Sequence, residues 1–252
     1  MKRPLFFFIF CFLFCSTALA AGPDIFMAVP TSAPSCTTPT GDVLTESFGD
    51  ASTSCWSGGP STCNNTWTLS GTTTDISIVS SPGSPPSNTA CANSINFTTS
   101  STTAIATSPT FTSIPHTTPY DVYGTIYVTS TASGASLTLI NASAASSQMS
   151  IQLNNVSGAY NLKGNGSVVS SALSISAGQW YVYRLHNDAT AADSYLGVST
   201  SGTPDSSCSG GAADTSTCKK FTAQANSTTK LVVGIQTSAT ANVTLGNAYV
   251  ND

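Results

Sequence analysis

The side chains that could carry out acid–base chemistry are few in this 252-residue chain. Glycoside hydrolases commonly use a pair of carboxylates, yet the chain has a single glutamate, Glu46, for which we expect a strand-edge or cap role. Asp188 and Asp193 lie in a polar, Ala-rich stretch rather than on one face of a strand. His116 and His186 fall in predicted loops, and no Gly-x-Ser-x-Gly motif is present. We therefore predict that the protein is not an enzyme.

Charged residues are scarce, whereas hydroxyl side chains are abundant. Ser and Thr account for 79 residues, and only 7% of the chain is charged. A nucleic-acid-binding protein needs a basic surface, so we expect no nucleic acid partner. The chain is 40% hydrophobic and 9% aromatic, which is more apolar than disordered proteins usually are. The sequence therefore predicts a folded domain whose polar surface is built largely from Ser and Thr.

The N-terminus has the pattern of a secretory signal peptide. Lys2-Arg3 precedes the apolar stretch Leu5–Cys15, and Ala18-Leu19-Ala20 supplies the small residues that signal peptidase requires. We expect cleavage after Ala20 and a secreted, cell-surface or periplasmic protein. We expect no transmembrane anchor, because eleven apolar residues are fewer than the roughly 20 that span a bilayer. Residues 21–41 are rich in Pro, Ser and Thr and predict a linker, followed by one domain over 42–252.

Six cysteines follow the predicted signal peptide. An even number of cysteines in an exported protein indicates disulfides, and six cysteines allow fifteen pairings. Cys208 and Cys218 flank a Gly-rich loop, so we favour their pairing. By the same reasoning we favour Cys55 with Cys63, which leaves Cys36 with Cys91. A zinc site is not favoured, because this part of the chain has no Cys-x-x-Cys pair.

Short β-branched and aromatic runs recur every ten to fifteen residues beyond residue 42, without helical periodicity. In the clearest run, Tyr120–Ser130, Val122 and its alternate neighbours face one way, while Tyr123, Thr125 and Tyr127 face the other. Asn165-Gly166 predicts a two-residue hairpin turn. We therefore predict an all-β fold, a two-sheet antiparallel sandwich. The other predicted strands are 66–69, 75–79, 94–97, 137–140, 149–153, 168–175, 179–185, 195–198, 230–235, 243–245 and 248–250.

Seven Asn-x-Ser/Thr sequons occur, but they are not evidence of glycosylation by themselves. With a third of all residues being Ser or Thr, about five sequons are expected by chance at this Asn content. The sequons begin at Asn64, Asn96, Asn141, Asn155, Asn165, Asn226 and Asn242.

The order of several short motifs resembles a known family. These motifs are Leu44-Thr45-Glu46-Ser47-Phe48, Cys55-Trp56, Thr66-Trp67, Tyr120–Gly124, Ser176–Val182 and Val243–Val250. In this order they are similar to a LamG-like domain of the concanavalin A-like lectin/glucanase superfamily. The resemblance covers roughly residues 42–252 and implies a jelly roll of two curved antiparallel sheets. It departs from the family after Tyr195-Leu196, where Gly197-Val198 replaces the expected Asp-Gly.

The resemblance also implies a binding surface. Lectins of this fold stack sugars on aromatic rings, and four tyrosines are candidates: Tyr123, Tyr127, Tyr181 and Tyr183. On the strand 179–185 we expect Trp180 and Val182 to be buried and at least one tyrosine to be exposed. The family's calcium sites use Asp and Asn oxygens in loops, so Asp188 and Asp193 are candidate calcium ligands. We expect no other cofactor.

Three functions follow, in order of preference. The first is a non-catalytic carbohydrate-binding or adhesion module with a glycan or another surface protein as partner. The second is a structural or matrix protein without a small ligand. The third is a glycoside hydrolase, which the single glutamate disfavours.

Overall fold

Antiparallel strands make up almost all regular structure of the described chain, as the period-two runs predict. A computed structural model describes residues 43–47, 67–86, 93–115, 117–142, 149–164, 167–188, 194–221, 230–235 and 239–252. These residues all belong to one compact unit, Ala33–Asp252. The predicted signal peptide, the linker, Cys36, Cys55, Cys63, Cys91, His116 and Asp193 lie outside the described residues.

Fifteen strands and one 3₁₀ turn, Thr73–Asp75, are present in these ranges. The strands are β1 (Leu44–Ser47), β2 (Thr68–Gly71), β3 (Ile76–Ser80), β4 (Asn93–Thr99), β5 (Ala104–Thr107), β6 (Tyr120–Thr131), β7 (Ser136–Ala142), β8 (Met149–Val156), β9 (Ala159–Gly164), β10 (Ser167–Leu173), β11 (Trp180–Asn187), β12 (Tyr195–Ser199), β13 (Cys218–Lys220), β14 (Val232–Ile235) and β15 (Ala241–Asn251). The two runs predicted at 243–245 and 248–250 are therefore one strand, interrupted by a register shift between Leu245 and Asn247.

The strands form two antiparallel sheets. The eight-stranded sheet has the order β13-β12-β11-β6-β15-β4-β3, and β1 also pairs with β15. The seven-stranded sheet has the order β10-β9-β8-β7-β14-β5-β2. One core cluster contains apolar side chains from both sheets, so the sheets pack face to face. This arrangement confirms the predicted all-β sandwich of the jelly-roll type. No described helical segment is long and apolar enough to cross a membrane.

Strand β6 shows how alternation builds the core. Val122, Ile126 and Val128 are fully buried in the core cluster, while Tyr123 and Tyr127 on the opposite face are half-buried. The two sheets approach closely at Gly234 of β14, which has a φ of +126°. A Cβ at this glycine would lie 2.9 Å from the Phe97 ring of the other sheet. A side chain there would therefore strain the backbone and push the sheets apart.

The expectation that at least one tyrosine of the strand 179–185 is exposed is wrong. Tyr181 and Tyr183 are 4% and 0% exposed, and both point from β11 into the core between the sheets. Trp180 and Val182 are also buried, but they lie on the opposite face of β11. The first half of β11, Trp180–Tyr183, is apolar or aromatic at every position and buried on both faces, so this half alone does not reveal which face is inward.

Two tight hairpins shape the seven-stranded sheet. Gly164 lies opposite Ser167 in the pairing of β9 with β10, and the turn predicted at Asn165-Gly166 lies outside the described residues. Val156 lies opposite Ala159 in the pairing of β8 with β9, so Ser157-Gly158 is a second two-residue connection. Both of its residues have positive φ, +53° and +91°, as a type I′ turn requires.

Two of the sequon asparagines are structural. Asn96 is 8% exposed, and its Nδ2 donates to Asn242 Oδ1 and Thr244 Oγ1. Asn155 is 4% exposed, and its Nδ2 donates to Thr131. The Asn96 amide links the neighbouring strands β4 and β15, and the Asn155 amide links β8 of one sheet to β6 of the other, so the folded protein does not present them to a glycosylating enzyme.

Candidate ligand-binding face

The face of the eight-stranded sheet that points away from the core carries aromatic and polar side chains; we call it the outer face. Alternate residues of a strand share a face, so the pairing of β11, β6 and β15 arranges these side chains in rows. From one end to the other, the rows are His186/Asp121/Asn251, Arg184/Tyr123/Tyr249, Val182/Thr125/Asn247 and Trp180/Tyr127/Thr244.

An ion-paired cluster lies at one end of the outer face. Arg184 donates from Nε to Asp121 Oδ1 and from Nη2 to Asp121 Oδ2, each at 2.8 Å. His186 Nδ1 lies 2.8 Å from the same Oδ1. The side chains of Asp121, Arg184 and His186 are 18%, 28% and 20% exposed. The carboxylate thus fixes both the guanidinium plane and the imidazole orientation at a partly open surface.

The charges of this cluster reinforce one another. Burial raises the pKa of Asp121, but hydrogen bonds from His186 and Arg184 and the Arg184 charge outweigh burial, so the net pKa is lowered. The hydrogen bonds to Asp121 raise the pKa of the Arg184 guanidinium. Asp121 is therefore a carboxylate at neutral pH and acts as an acceptor, which does not suit it to be a general acid.

Aromatic rings surround the guanidinium. Tyr123 and Tyr249 stack with centroids 4.7 Å apart and an interplanar angle of 6°. The Arg184 carbon Cζ lies 5.6 Å from the Tyr123 centroid and 5.7 Å from the Tyr195 centroid. Burial, followed by the nearby Tyr123 and Asp121, raises the pKa of Tyr249 to about 12. The tyrosines of this end are therefore protonated at neutral pH, and their rings hold Arg184 in place.

The disulfide loop forms a wall beside this cluster. Cys208 and Cys218 are bonded, as predicted, with their Cα atoms 5.7 Å apart. Both cysteines are buried and pack with Tyr195, whose ring lies 5.3 Å from that of His186. The segment that leads into the loop passes so close to β12 that a Cβ at Gly197 would overlap the Asp205 carbonyl oxygen. Gly197 stands where the family pattern has Asp. A side chain at this position would collide with the wall, so glycine is required here.

A pocket of about 310 Å³ lies at the other end of the outer face. Its lining includes Tyr127 and Trp180, whose centroids are 5.4 Å apart and whose rings are tilted by 56°. Trp180 Nε1 donates to the Pro82 carbonyl at 2.5 Å, which ties the segment 81–86 to β11. The remaining lining residues are Gly83, Ser84, Pro86, Gly178, Gln179 and Thr200. The pocket thus combines a half-buried tyrosine ring with hydroxyl and amide groups.

The middle of the outer face is polar and internally bonded. Thr125 Oγ1 donates to Asn247 Oδ1 at 2.9 Å, which links β6 to β15. Thr125 and Asn247 are both nearly fully buried. They separate the ion-paired cluster from the pocket and hold the two central strands in register.

The candidate residues predicted from the sequence are dispersed in the structure. Tyr123 and Tyr127 lie on the outer face, and their binding role stays a prediction. Tyr183 is fully buried in the core, and Tyr181 is 4% exposed and lines a different pocket, of about 490 Å³, beside Ser174 and Thr217. His186 belongs to strand β11 rather than to a loop.

Glu46 also lies far from a catalytic environment. It is 1% exposed, and its Oε2 accepts a hydrogen bond from Trp67 Nε1 at 2.8 Å. The glutamate therefore links β1, a strand whose described pairing is with β15 alone, to a buried tryptophan.

Only one of the two predicted calcium ligands lies within the described residues. Asp188 follows β11, and its backbone N–H donates to Ser194 Oγ at 2.9 Å. Asp193 lies outside the described residues. Within the described ranges, no three His, Cys, Asp or Glu side chains are grouped to hold a metal ion. Calcium binding therefore stays a prediction, and no chemistry is derived from it.

Asp121, Arg184 and Tyr249 were not among the predicted site residues. The period-two pattern of β6 does place Asp121 on the same face as Tyr123 and Tyr127. The partners of Asp121 come from residues 63 and 65 positions later in the chain, and no local pattern indicates that pairing.

No protein-family model and no curated protein matches the sequence. Solved structures with a similar chain path include the metal-free carbohydrate recognition domain of Emp46p, at 8% identity and a TM-score of 0.46 over 73% of this chain and 87% of that chain. A carbohydrate esterase from Shiga toxin-encoding bacteriophage phi24B is 11% identical, with a TM-score of 0.48 over 82% and 96%. A protein of unknown function from Shewanella oneidensis MR-1 is 15% identical, with a TM-score of 0.48 over 92% and 95%. Likenesses at this level decide neither a ligand nor an activity.

Proposed function

We propose that this protein is an exported, non-catalytic module that binds carbohydrate on its outer face, with adhesion to a glycan-bearing surface as its role. The observation that carries the proposal is the Tyr127 pocket. A half-buried ring beside hydroxyl and amide groups offers an apolar surface for the C–H face of a sugar and partners for its hydroxyls. The volume of about 310 Å³ is at the lower end of the range for small-molecule sites.

Two observations support a non-catalytic role. The single glutamate is buried against Trp67, where a polysaccharide cannot reach it. Asp121, the carboxylate of the ion-paired cluster, is held by Arg184 and His186 with a lowered pKa. A glycoside hydrolase of the usual kind needs one carboxyl group with a raised pKa as its acid, and neither residue fits that requirement.

The disulfide supports export. Cys208–Cys218 is buried and forms part of the wall beside Tyr195. Structural disulfides persist in oxidising compartments and are rare in the cytosol. Because the wall beside the outer face depends on this disulfide, the protein is expected to mature outside the cytoplasm.

The direct test is a glycan array followed by calorimetry on the best ligand, with and without calcium. Tyr127→Ala should weaken binding about tenfold or more, because removal of a stacked aromatic ring commonly costs more than 1 kcal/mol. Tyr127→Phe is the matched variant and should retain most of the affinity, since the ring face remains. A screen without any glycan ligand would refute the proposal.

Catalysis is tested on the same preparation. Incubation with the polysaccharide that binds best should release no reducing ends. Turnover that disappears in Glu46→Gln would establish the glycoside hydrolase instead.

The matrix alternative predicts concentration-dependent assembly. Among the described large apolar residues, Val156 at 42% is the exposed one, so the described surface offers no broad apolar patch for self-association. Light scattering should therefore show a monomer at all concentrations. Tyr183 lies in the core, so replacing it with Ala would test the stability of the fold and not the surface.

A further inference from the structure

We propose that Arg184 and His186, oriented by Asp121, form a second subsite that binds a pair of sugar hydroxyls. The preferred ligand is then a linear neutral oligosaccharide that reaches from the Tyr127 pocket to Arg184. This inference rests on the proposed carbohydrate binding and specifies its ligand class. It follows from the hydrogen-bonding groups that the ion-paired cluster still presents and from its distance to the pocket.

Arg184 has donors left over. A guanidinium carries five N–H groups, and two of those of Arg184 bond to Asp121. Among the described residues no other acceptor takes the remaining three. The side chain is 28% exposed, and its two bonds to Asp121 hold the guanidinium in one orientation at this partly open surface. Donors that are already oriented lose little entropy when a ligand hydroxyl accepts from them.

His186 adds an acceptor beside these donors. Its Nδ1 is 2.8 Å from a carboxylate oxygen, so the tautomer that fits this contact carries its proton on Nδ1. Nε2 then carries the lone pair, and no described residue bonds to it. One hydroxyl can accept from Arg184 while its neighbour donates to His186. Asp121 is a positioning residue here, because its two oxygens are already occupied by the arginine and the histidine.

The cluster favours neutral sugars over acidic ones. Asp121 lies 2.8 Å from Arg184 and neutralises its positive charge. A sugar carboxylate would therefore be attracted only weakly by Arg184 and would be repelled by Asp121. The chain as a whole has a formal charge of −4, which also repels acidic polymers. A hydroxyl pair needs both a donor and an acceptor, and the cluster provides both.

The distance between the two ends sets the ligand length. Trp180 of the pocket and Arg184 are four residues apart on the same face of β11, which corresponds to about 13 Å along the strand. A single pyranose ring cannot contact both ends. The intervening row is Val182, Thr125 and Asn247, all nearly fully buried and uncharged, so a ligand that reaches both ends crosses above them.

The test is calorimetry with cello-, laminari-, manno- and xylo-oligosaccharides of one to six units, and with oligogalacturonides of the same lengths as the acidic series. At least one neutral series should show a Kd that falls about tenfold or more between two units and six units. Arg184→Lys should abolish this gain while leaving the disaccharide Kd within about threefold. Lys lacks the planar guanidinium of Arg but retains its positive charge beside Asp121. We therefore expect the variant to fold.

Two further variants separate binding from folding. His186→Phe keeps a ring against Tyr195 and removes both nitrogens, and it should also abolish the length gain. Lys230→Met, at the start of the β14 region in the other sheet, is the control for loss of a basic side chain and should bind like the unmodified protein. Circular dichroism of each variant checks that it is folded.

The outcomes distinguish the two proposals. An affinity that does not change with chain length, or an equal loss for short and long ligands in Arg184→Lys, would overturn the second subsite and leave the Tyr127 pocket standing. Tighter binding of the oligogalacturonides would overturn the neutral ligand class. No binding to any series would overturn both the subsite and the proposed function.

Discussion

Tyr183 provides a sharp test of the packing that supports the outer face. Its ring is fully buried between the sheets, and among the described residues its hydroxyl has no hydrogen-bond partner. A Cβ at Gly124 would lie 2.5 Å from that oxygen, so the hydroxyl packs directly on the β6 backbone. Burial raises the pKa of Tyr183, consistent with a group removed from water. We predict that Tyr183→Phe stabilises the protein.

The magnitude follows from the cost of an unsatisfied buried hydroxyl, about 1–3 kcal/mol. The oxygen fills space against Gly124, and the loss of these contacts offsets part of the gain. We therefore expect the free energy of unfolding to rise by about 1 kcal/mol. For a chain of this size the midpoint of thermal unfolding should rise by about 2–4 °C.

The matched control is Tyr160→Phe. Tyr160 is also buried, but its hydroxyl lies 2.5 Å from Thr131 Oγ1 in a hydrogen bond. Removal of that hydroxyl should lower the free energy of unfolding by about 1 kcal/mol. Urea unfolding followed by tryptophan fluorescence measures both variants. The reasoning would be refuted if Tyr183→Phe destabilised the protein, or if both variants shifted the stability in the same direction.

Three further predictions concern the loops and the ion-paired cluster. Gly197→Ala should destabilise the protein by several kcal/mol and weaken glycan binding, because its methyl group overlaps the Asp205 carbonyl; unchanged urea unfolding would contradict this. The stability that Asp121 provides should be fully present above about pH 4 and lost as pH falls through its lowered pKa. The difference between the protein and Asp121→Asn should therefore shrink in acid, and a constant difference in pH-dependent unfolding would oppose the assignment. Ser157→Asn should stabilise the Ser157-Gly158 turn by about 0.5–1 kcal/mol, since Asn adopts positive φ more readily; a lower thermal midpoint would count against it.

Strand pattern and turn chemistry were predictable because they depend on neighbours in the chain. Alternation on β6 placed Val122 and Ile126 in the core and Tyr127 on the opposite face, and all three positions are confirmed. The antiparallel pairing of the strands that flank Asn165-Gly166 and the disulfide Cys208–Cys218 are also confirmed. Each is a local feature, with the paired residues separated by a short loop.

Strand β11 shows where this reasoning stops. Its Trp-Tyr-Val-Tyr segment is buried on both faces, on one side by the other sheet and on the other by the segment tied through Pro82. Without a solvent-exposed face, alternation carries no information about direction. The prediction that a β11 tyrosine is exposed failed for this reason.

The amino-acid sequence by itself determined the class of fold, because β-branched residues at period two and the scarcity of charge favour an antiparallel sandwich. Only the tertiary structure decided which side chains meet. The order β11-β6-β15 brings Asp121 between Arg184 and His186, and places Tyr127 beside Trp180. Strand order is set by the packing of two whole sheets and by long connections between strands, and it has no counterpart in the spacing of neighbouring residues.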